Sequence, residues 1–195
     1  MHMVSKRDRF LTLSGLLGPI VFAGVILVAG FLFPNYDHAN HVISDLGAVD
    51  SPVKDFMNIF GFMLFGILIM AFSVGVYKLR GSLLGKMIVA LFMLGGLAMF
   101  LVGVFPSDAV CREGPRFCPP PSLIGEMHDI ATYSTFLFLF PAFILLVIDT
   151  RNEKSMKYYF MVAGVLGVII AFFAYTWLTA IDDTLIGVKK RTTLG

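Results

Sequence analysis

Three of the four histidines in this 195-residue chain stand beside carboxylates in two short polar stretches. The first holds His38, Asn40, His41, Ser44 and Asp45; the second holds Asp108 and, further on, Glu126, His128 and Asp129. If the first stretch is helical, His38, His41 and Asp45 at i, i+3 and i+7 share one face, two imidazoles with a carboxylate. Joined by the second stretch, His38, His41, His128 and Asp108 are the ligand set that suits zinc or a related divalent ion, with a position open to water. Asp45 or Asp108 would then act as a ligand or a general base. The same groups have a plainer use as a structural cap, in which Asp45 and Asp108 satisfy loop amides or helix N-termini without any metal. His-x-x-His alone occurs readily by chance. The chain has no P-loop, Gly-x-Ser-x-Gly, His-Glu-x-x-His or dinucleotide motif to favour an enzyme.

The elements that must position these residues are read from charge. Hydrophobic residues make up 57% of the chain and Asp, Glu, Lys and Arg only 14%, where a soluble domain carries about 25% charged residues. Mean hydropathy is +0.85, which excludes both a soluble globular domain and a disordered chain. Five windows, 10–36, 56–77, 87–107, 130–148 and 158–181, contain no Asp, Glu, Lys or Arg. Each is long enough for a helix to cross a hydrocarbon core, which takes about 20 residues. Backbone groups in lipid must be satisfied within the segment, so the spans are helices. The expected fold is an all-α polytopic transmembrane bundle forming one domain, with spans at about 11–33, 56–78, 86–105, 127–148 and 157–180.

Lys6, Arg7 and Arg9 precede the first span; Lys78, Arg80 and Lys86 lie between the second and third; Arg151, Lys154 and Lys157 lie between the fourth and fifth. All nine fall on one side, which the positive-inside rule makes cytoplasmic. The N-terminus is then cytoplasmic, the protein sits in the cell membrane, and the acidic loops at about 34–54 and 106–129 are extracytoplasmic. The first window is too long for the apolar core of a signal peptide and no clear cleavage site follows it. Lys189, Lys190 and Arg191 fall on the outer side by span counting, against the same rule. They are expected to lead into a sixth helix missing from this chain; a short exposed tail is the plainer alternative.

Cys111 and Cys118 share a proline-rich outer loop, where a disulfide between them is expected. Ala163, Gly167 and Ala171 form a small-residue stripe on the last helix, fit for close packing within the bundle or for a homodimer face. Pro19 and Pro141 should kink their spans. With no charge at mid-membrane depth, an ion-coupled transporter is disfavoured. The hydroxyls of Ser73, Thr132, Ser134, Thr135 and Thr176 are expected to bond back to their own helices.

The run from Asn40 to Gly47, then Asn58 with Phe60 and Gly61, then Gly103 to Asp108, then His128 and Ala131, resembles the uncharacterised membrane family called domain of unknown function 998. The likeness covers nearly the whole chain. It implies six helices, no settled activity, and a grouping of Ser44, Asp45, Asp108 and His128. More distantly, the Ile43 to Gly47 run with a downstream histidine is similar to the FRAG/DRAM/SFK group, some of whose members remodel lipid anchors.

Three functions follow as expectations. The first is an outer-face polar cluster of His38, Asn40, His41, Ser44, Asp45, Asp108, His128 and Asp129 that binds a lipid head group or small polar ligand. The second is a metal-dependent lipid hydrolase or transferase, and the third a transporter or channel accessory. Membrane lipids, not nucleic acid, are the expected partners.

Overall fold

Two helix starts in this chain are set by serine caps. Ser82 is extended, and its hydroxyl accepts the N–H of Gly85 at 3.0 Å, satisfying an orphan donor at the start of a helix running Leu83–Val104. Ser122 does the same for Gly125, also at 3.0 Å, at the start of Leu123–Thr150. The computed structural model that carries these contacts describes residues 6–34, 36–38, 41–79, 81–109 and 120–150.

Four long helices occur among the described residues, and no strand. They are α1 (Lys6–Leu32), α2, α3 (Leu83–Val104) and α4 (Leu123–Thr150). α2 is composite: an α-turn at Lys54–Phe56, a π-helical stretch at Met57–Met63 and regular α-helix over Leu64–Leu79. All four are long and apolar enough to cross a membrane, by length and composition. The fifth expected span, at 157–180, lies outside the described residues. So do the basic tail, the small-residue stripe at Ala163, Gly167 and Ala171, and Thr176.

The chain divides into two units, residues 1–145 and 146–195. In the second, the hydroxyl of Thr150 donates to the carbonyl of Leu146 at 2.6 Å. In the first, each helix packs on the next. Phe22 of α1 stacks on Phe65 of α2 with centroids 4.7 Å apart. Phe72 of α2 meets Phe92 of α3 edge-on at 5.1 Å, and Phe92 meets Phe143 of α4 in the same way. Between α2 and α3 the backbones come into direct contact: a Cβ on Gly66 would stand 2.6 Å from both the Gly96 carbonyl oxygen and the Phe100 nitrogen. Small residues permit such approach where lipid removes the usual hydrophobic driving force.

Ser73 corrects an expectation. Its buried hydroxyl does not bond back to its own helix but crosses to the Val89 carbonyl of α3 at 2.8 Å, because the close crossing brings that carbonyl within reach. Thr135 does bond back, to Ala131 at 2.9 Å. The buried hydroxyl of Thr132 has no partner among the described residues. Pro19 and Pro141 lie inside α1 and α4.

A buried apolar cluster lies at the helix ends rather than at mid-bundle. It joins Ala29 and Phe33 at the end of α1, Leu46 and Val53 of the first loop, Met57 and Phe62 of the π-helical stretch, Val102 of α3 and Ala131 of α4. The first loop is thereby folded down between the helix ends, and the polar residues it carries are held by that packing.

Candidate functional site

The first loop contains a short 3-10 helix, Ile43–Gly47, with Leu46 and Gly47 buried. His38 sits in a turn and His41 in a bend before it, so the single helical face expected for His38, His41 and Asp45 does not form. Tyr36 organises both imidazoles instead. His41 stacks on its ring at 5.3 Å, and His38 meets it edge-on at 4.9 Å. The Tyr36 hydroxyl donates to the Val42 carbonyl at 3.3 Å. Burial, with a contribution from the nearby charge of Asp45, pushes its ionisation up to about 12. His41 Nδ1 accepts the backbone N–H of Asp37 at 2.9 Å, which fixes the ring against the turn.

The second loop is stitched to the first through Ser107. Its hydroxyl donates to the Ser44 carbonyl at 2.9 Å, and its carbonyl accepts the N–H of Val49 at 3.0 Å. The two loops thus share one end of the bundle. Next to Ser107, both carboxylate oxygens of Asp108 are engaged by Ser122, the backbone N–H at 2.8 Å and the hydroxyl at 2.6 Å. Asp108 therefore braces the residue that caps α4 and places its charge at the positive end of the helix dipole. Gly125 has no room for a side chain because that carboxylate lies against it.

His128 is 2% exposed. Its Nδ1 faces two carbonyls beyond the reach of α3's own ladder, Phe105 at 2.7 Å and Val102 at 3.2 Å. Carbonyls only accept, so Nδ1 carries the proton and donates. The ring edge packs against Phe62 with centroids 6.2 Å apart. A further polar group lies in the same layer: Asn58, 6% exposed in the π-helical stretch, donates from Nδ2 to the Gly47 carbonyl at 3.1 Å. Its Oδ1 has no partner among the described residues. π-Helical turns often mark functional sites, and this one seats Asn58 and Phe62 together against Gly47.

The expected residues thus separate into two groups. Ser44, Asp108 and His128 join Gly47, Asn58 and Ser107 in an interlocked cap over the helix ends. His38, His41 and Asp45 gather around Tyr36. Asp129 is exposed on α4, as is Glu126. Asn40, Cys111 and Cys118, with the expected disulfide, lie outside the described residues. The expected metal set of His38, His41, His128 and Asp108 is not assembled: Nδ1 of His128 is bound to carbonyls and Asp108 to Ser122. Among the described residues no three His, Cys, Asp or Glu side chains are grouped to hold a metal ion.

Sequence reading missed Tyr36, Ser107 and Ser122. Ser122 carried a signal, since a polar cap residue directly after Pro119, Pro120 and Pro121 marks a helix start.

Tyr36 and His38 border an open groove. About 470 Å³ of open space lies between Leu27, Gly30, Phe31 and Phe33 on the α1 side and Tyr36 and His38 above them. His38 rests on Gly30, where an added Cβ would come 2.5 Å from its ring. Leu27 and Phe31 are 63% and 89% exposed, so the apolar wall opens outward at the last turns of α1.

No curated protein and no solved structure matches the chain. A family model described as Protein of unknown function (DUF998) matches residues 16–195, and the chain, a multi-helix membrane protein by its apolar helices, belongs to that family.

Proposed function

We propose that the protein binds a membrane lipid at the loop-bearing end of the bundle, with the head group at the Tyr36, His38, His41 and Asp45 cluster. The observation that carries this is the groove itself: it begins on the exposed apolar turns of α1 and ends on a polar, histidine-bearing rim. An amphiphile has that polarity along its length, and a pocket with an apolar wall and a few placed polar groups suits one. The basic residues at the opposite helix ends support an extracytoplasmic position for this rim. In the same reading 157–180 is a fifth span and Cys111–Cys118 a disulfide of the outer loop. A hydrolase or transferase reading has no observation of its own.

The test is lipid retention by the purified protein, read by native mass spectrometry. Gly30→Leu fills the groove and displaces His38, and His38→Ala removes a polar rim group without crowding. Both should release bound lipid, Gly30→Leu by about tenfold and His38→Ala by less, and His38→Ala should do so with an unchanged thermal transition in detergent. Equal retention by parent and both variants would overturn the reading.

A further inference from the structure

Asn58 Oδ1 and Thr132 Oγ1 are buried oxygens with no hydrogen-bond partner among the described residues. Asn58 is 6% exposed, and its amide orientation is set by Nδ2, which donates to the Gly47 carbonyl. Turned over, the amide would bring two acceptors face to face. Oδ1 therefore presents an unused acceptor where α2 meets the first loop, and it and the Phe62 ring both lie against the place a Gly47 side chain would take. Phe62 in turn meets the His128 ring edge-on at 6.2 Å. With Nδ1 of His128 given to the carbonyls of Phe105 and Val102, Nε2 makes no hydrogen bond among the described residues, although the residue is buried. Thr132 follows His128 by one helical turn and shares its face of α4. Thr135 spends its hydroxyl on the Ala131 carbonyl of its own helix, and Thr132 makes no such bond.

Hydrocarbon can satisfy none of these groups. The hydroxyls of Ser51, Ser107 and Tyr36 at this end of the bundle already donate to the carbonyls of Leu46, Ser44 and Val42. Water meets the need: it has two protons to give and lone pairs to accept from a threonine hydroxyl, and a buried water typically makes about three such bonds. We infer that this end of the bundle holds internal water between the π-helical stretch of α2 and the second and third turns of α4, bound to Asn58 Oδ1, with His128 Nε2 and the Thr132 hydroxyl as its further partners. The site is separate from the groove beside Tyr36 and independent of lipid binding there. It also gives the π-helical turn a use, since such turns recur where a helix must present a polar group to a site.

The test is brief X-ray radiolysis of the full chain in lipid nanodiscs, in which hydroxyl radicals form from water in place and oxidise the side chains beside it. Mass spectrometry reads the oxidised residues, each rate normalised to the intrinsic reactivity of its side chain. Phe62, 5% exposed, should be oxidised several-fold faster than Phe92, which is 1% exposed and packed between aromatic rings. Val53, in the same apolar cluster as Phe62, should stay near the Phe92 rate. Asn58→Leu puts an apolar side chain of similar size in place of the amide and should bring Phe62 down to the Phe92 rate. Equal oxidation of Phe62 and Phe92 in the parent overturns the inference. Oxidation of Val53 as fast as Phe62 also overturns it, because the whole end would then be opening to bulk water. An unchanged Phe62 rate in Asn58→Leu overturns the assignment to Asn58. Should that variant not fold, Thr132→Val, which keeps the side-chain shape and loses the hydroxyl, replaces it, with the same fall expected at Phe62 and the same meaning if the rate is unchanged.

Discussion

The His128 imidazole donates to the Phe105 carbonyl at 2.7 Å, tying the second turn of α4 to the end of α3. The ring is buried, so both carbonyls it faces depend on it for a donor. Replacing it by Phe keeps the ring contact with Phe62 but strands those carbonyls. We expect His128→Phe to cost about 1–3 kcal/mol, the penalty for a buried polar group left unpaired. Asn, which retains a donor, should recover part of it. Thermal unfolding in detergent measures both, and equal stability of parent and His128→Phe would remove the capping role.

Gly47 and Asn58 form the second lock. The Asn58 amide donates to the Gly47 carbonyl, and its Oδ1 lies where a Gly47 side chain would have to go. Gly47→Ala should therefore destabilise by about 1–3 kcal/mol through overpacking. Asn58→Ala on its own should also destabilise, by freeing the Gly47 carbonyl. Combined with Gly47→Ala it removes the obstruction, so the double variant should be clearly less destabilised than the sum of the two singles. Strict additivity in denaturation experiments would contradict this arrangement.

How much of this was legible follows from what each signal measures. Hydrocarbon excludes charge, so charge-free windows located four helices to within a few residues. Charge misplaces a boundary where a carboxylate is favourable in a helix. Asp129 bounded the charge-free window at 130 and the fourth expected span began at 127, yet the helix starts at Leu123, since acidic residues suit the first turns of a helix. Of the four residues that the family-like run groups, Ser44, Asp108 and His128 are each hydrogen-bonded at the loops and helix ends, whereas Asp45 lies with Tyr36. The capping use of Asp108 was legible as one of two readings, but the task of His128 was not, because its partners are backbone carbonyls, which leave no mark on sequence. The hydroxyl of Ser73 was misassigned for the same reason: its acceptor depends on a crossing set by Gly66 and Gly96.

Tyr36 gives a pH-dependent test outside the helices. Its phenol ionises near 10.0 when unfolded and about 12 when folded, chiefly because it is buried and secondly because Asp45 is near. The neutral form is thus favoured by folding. The stabilisation is complete below pH 10 and is lost as pH rises from there through about 12. In an ultraviolet tyrosinate titration Tyr36→Phe should delete a late component. Its stability should also decline less steeply than the parent's across that interval. An unchanged late component assigns the burial to another tyrosine.

Asp108 supports α4 from outside the helix. Asp108→Ala removes the acceptor for the Ser122 hydroxyl and N–H and the negative charge at the dipole's positive end. The expected loss is about 0.5–2 kcal/mol, in the range of a deleted cap. Hydrogen exchange should localise it, with amides of the first two turns of α4 losing protection while those of α3 remain protected. Uniform loss across the bundle would mean that Asp108 holds more than this helix end.

The α2–α3 crossing separates packing from hydrogen bonding. At Gly66 the obstacles to a side chain are main-chain atoms of Gly96 and Phe100, which cannot turn aside as a rotamer can. Gly66→Ala must therefore move the helices apart and lengthen the Ser73 contact with Val89 as well. Ser73→Ala alone removes only that bond, worth about 0.6 kcal/mol on average between membrane helices. Gly24 in α1 has open space around it, so Gly24→Ala should be neutral or slightly stabilising through helix propensity. The expected order of thermal transitions in detergent is Gly24→Ala at or above the parent, then Ser73→Ala, then Gly66→Ala well below. If Gly66→Ala were no worse than Ser73→Ala, close backbone approach would not be what holds α2 to α3.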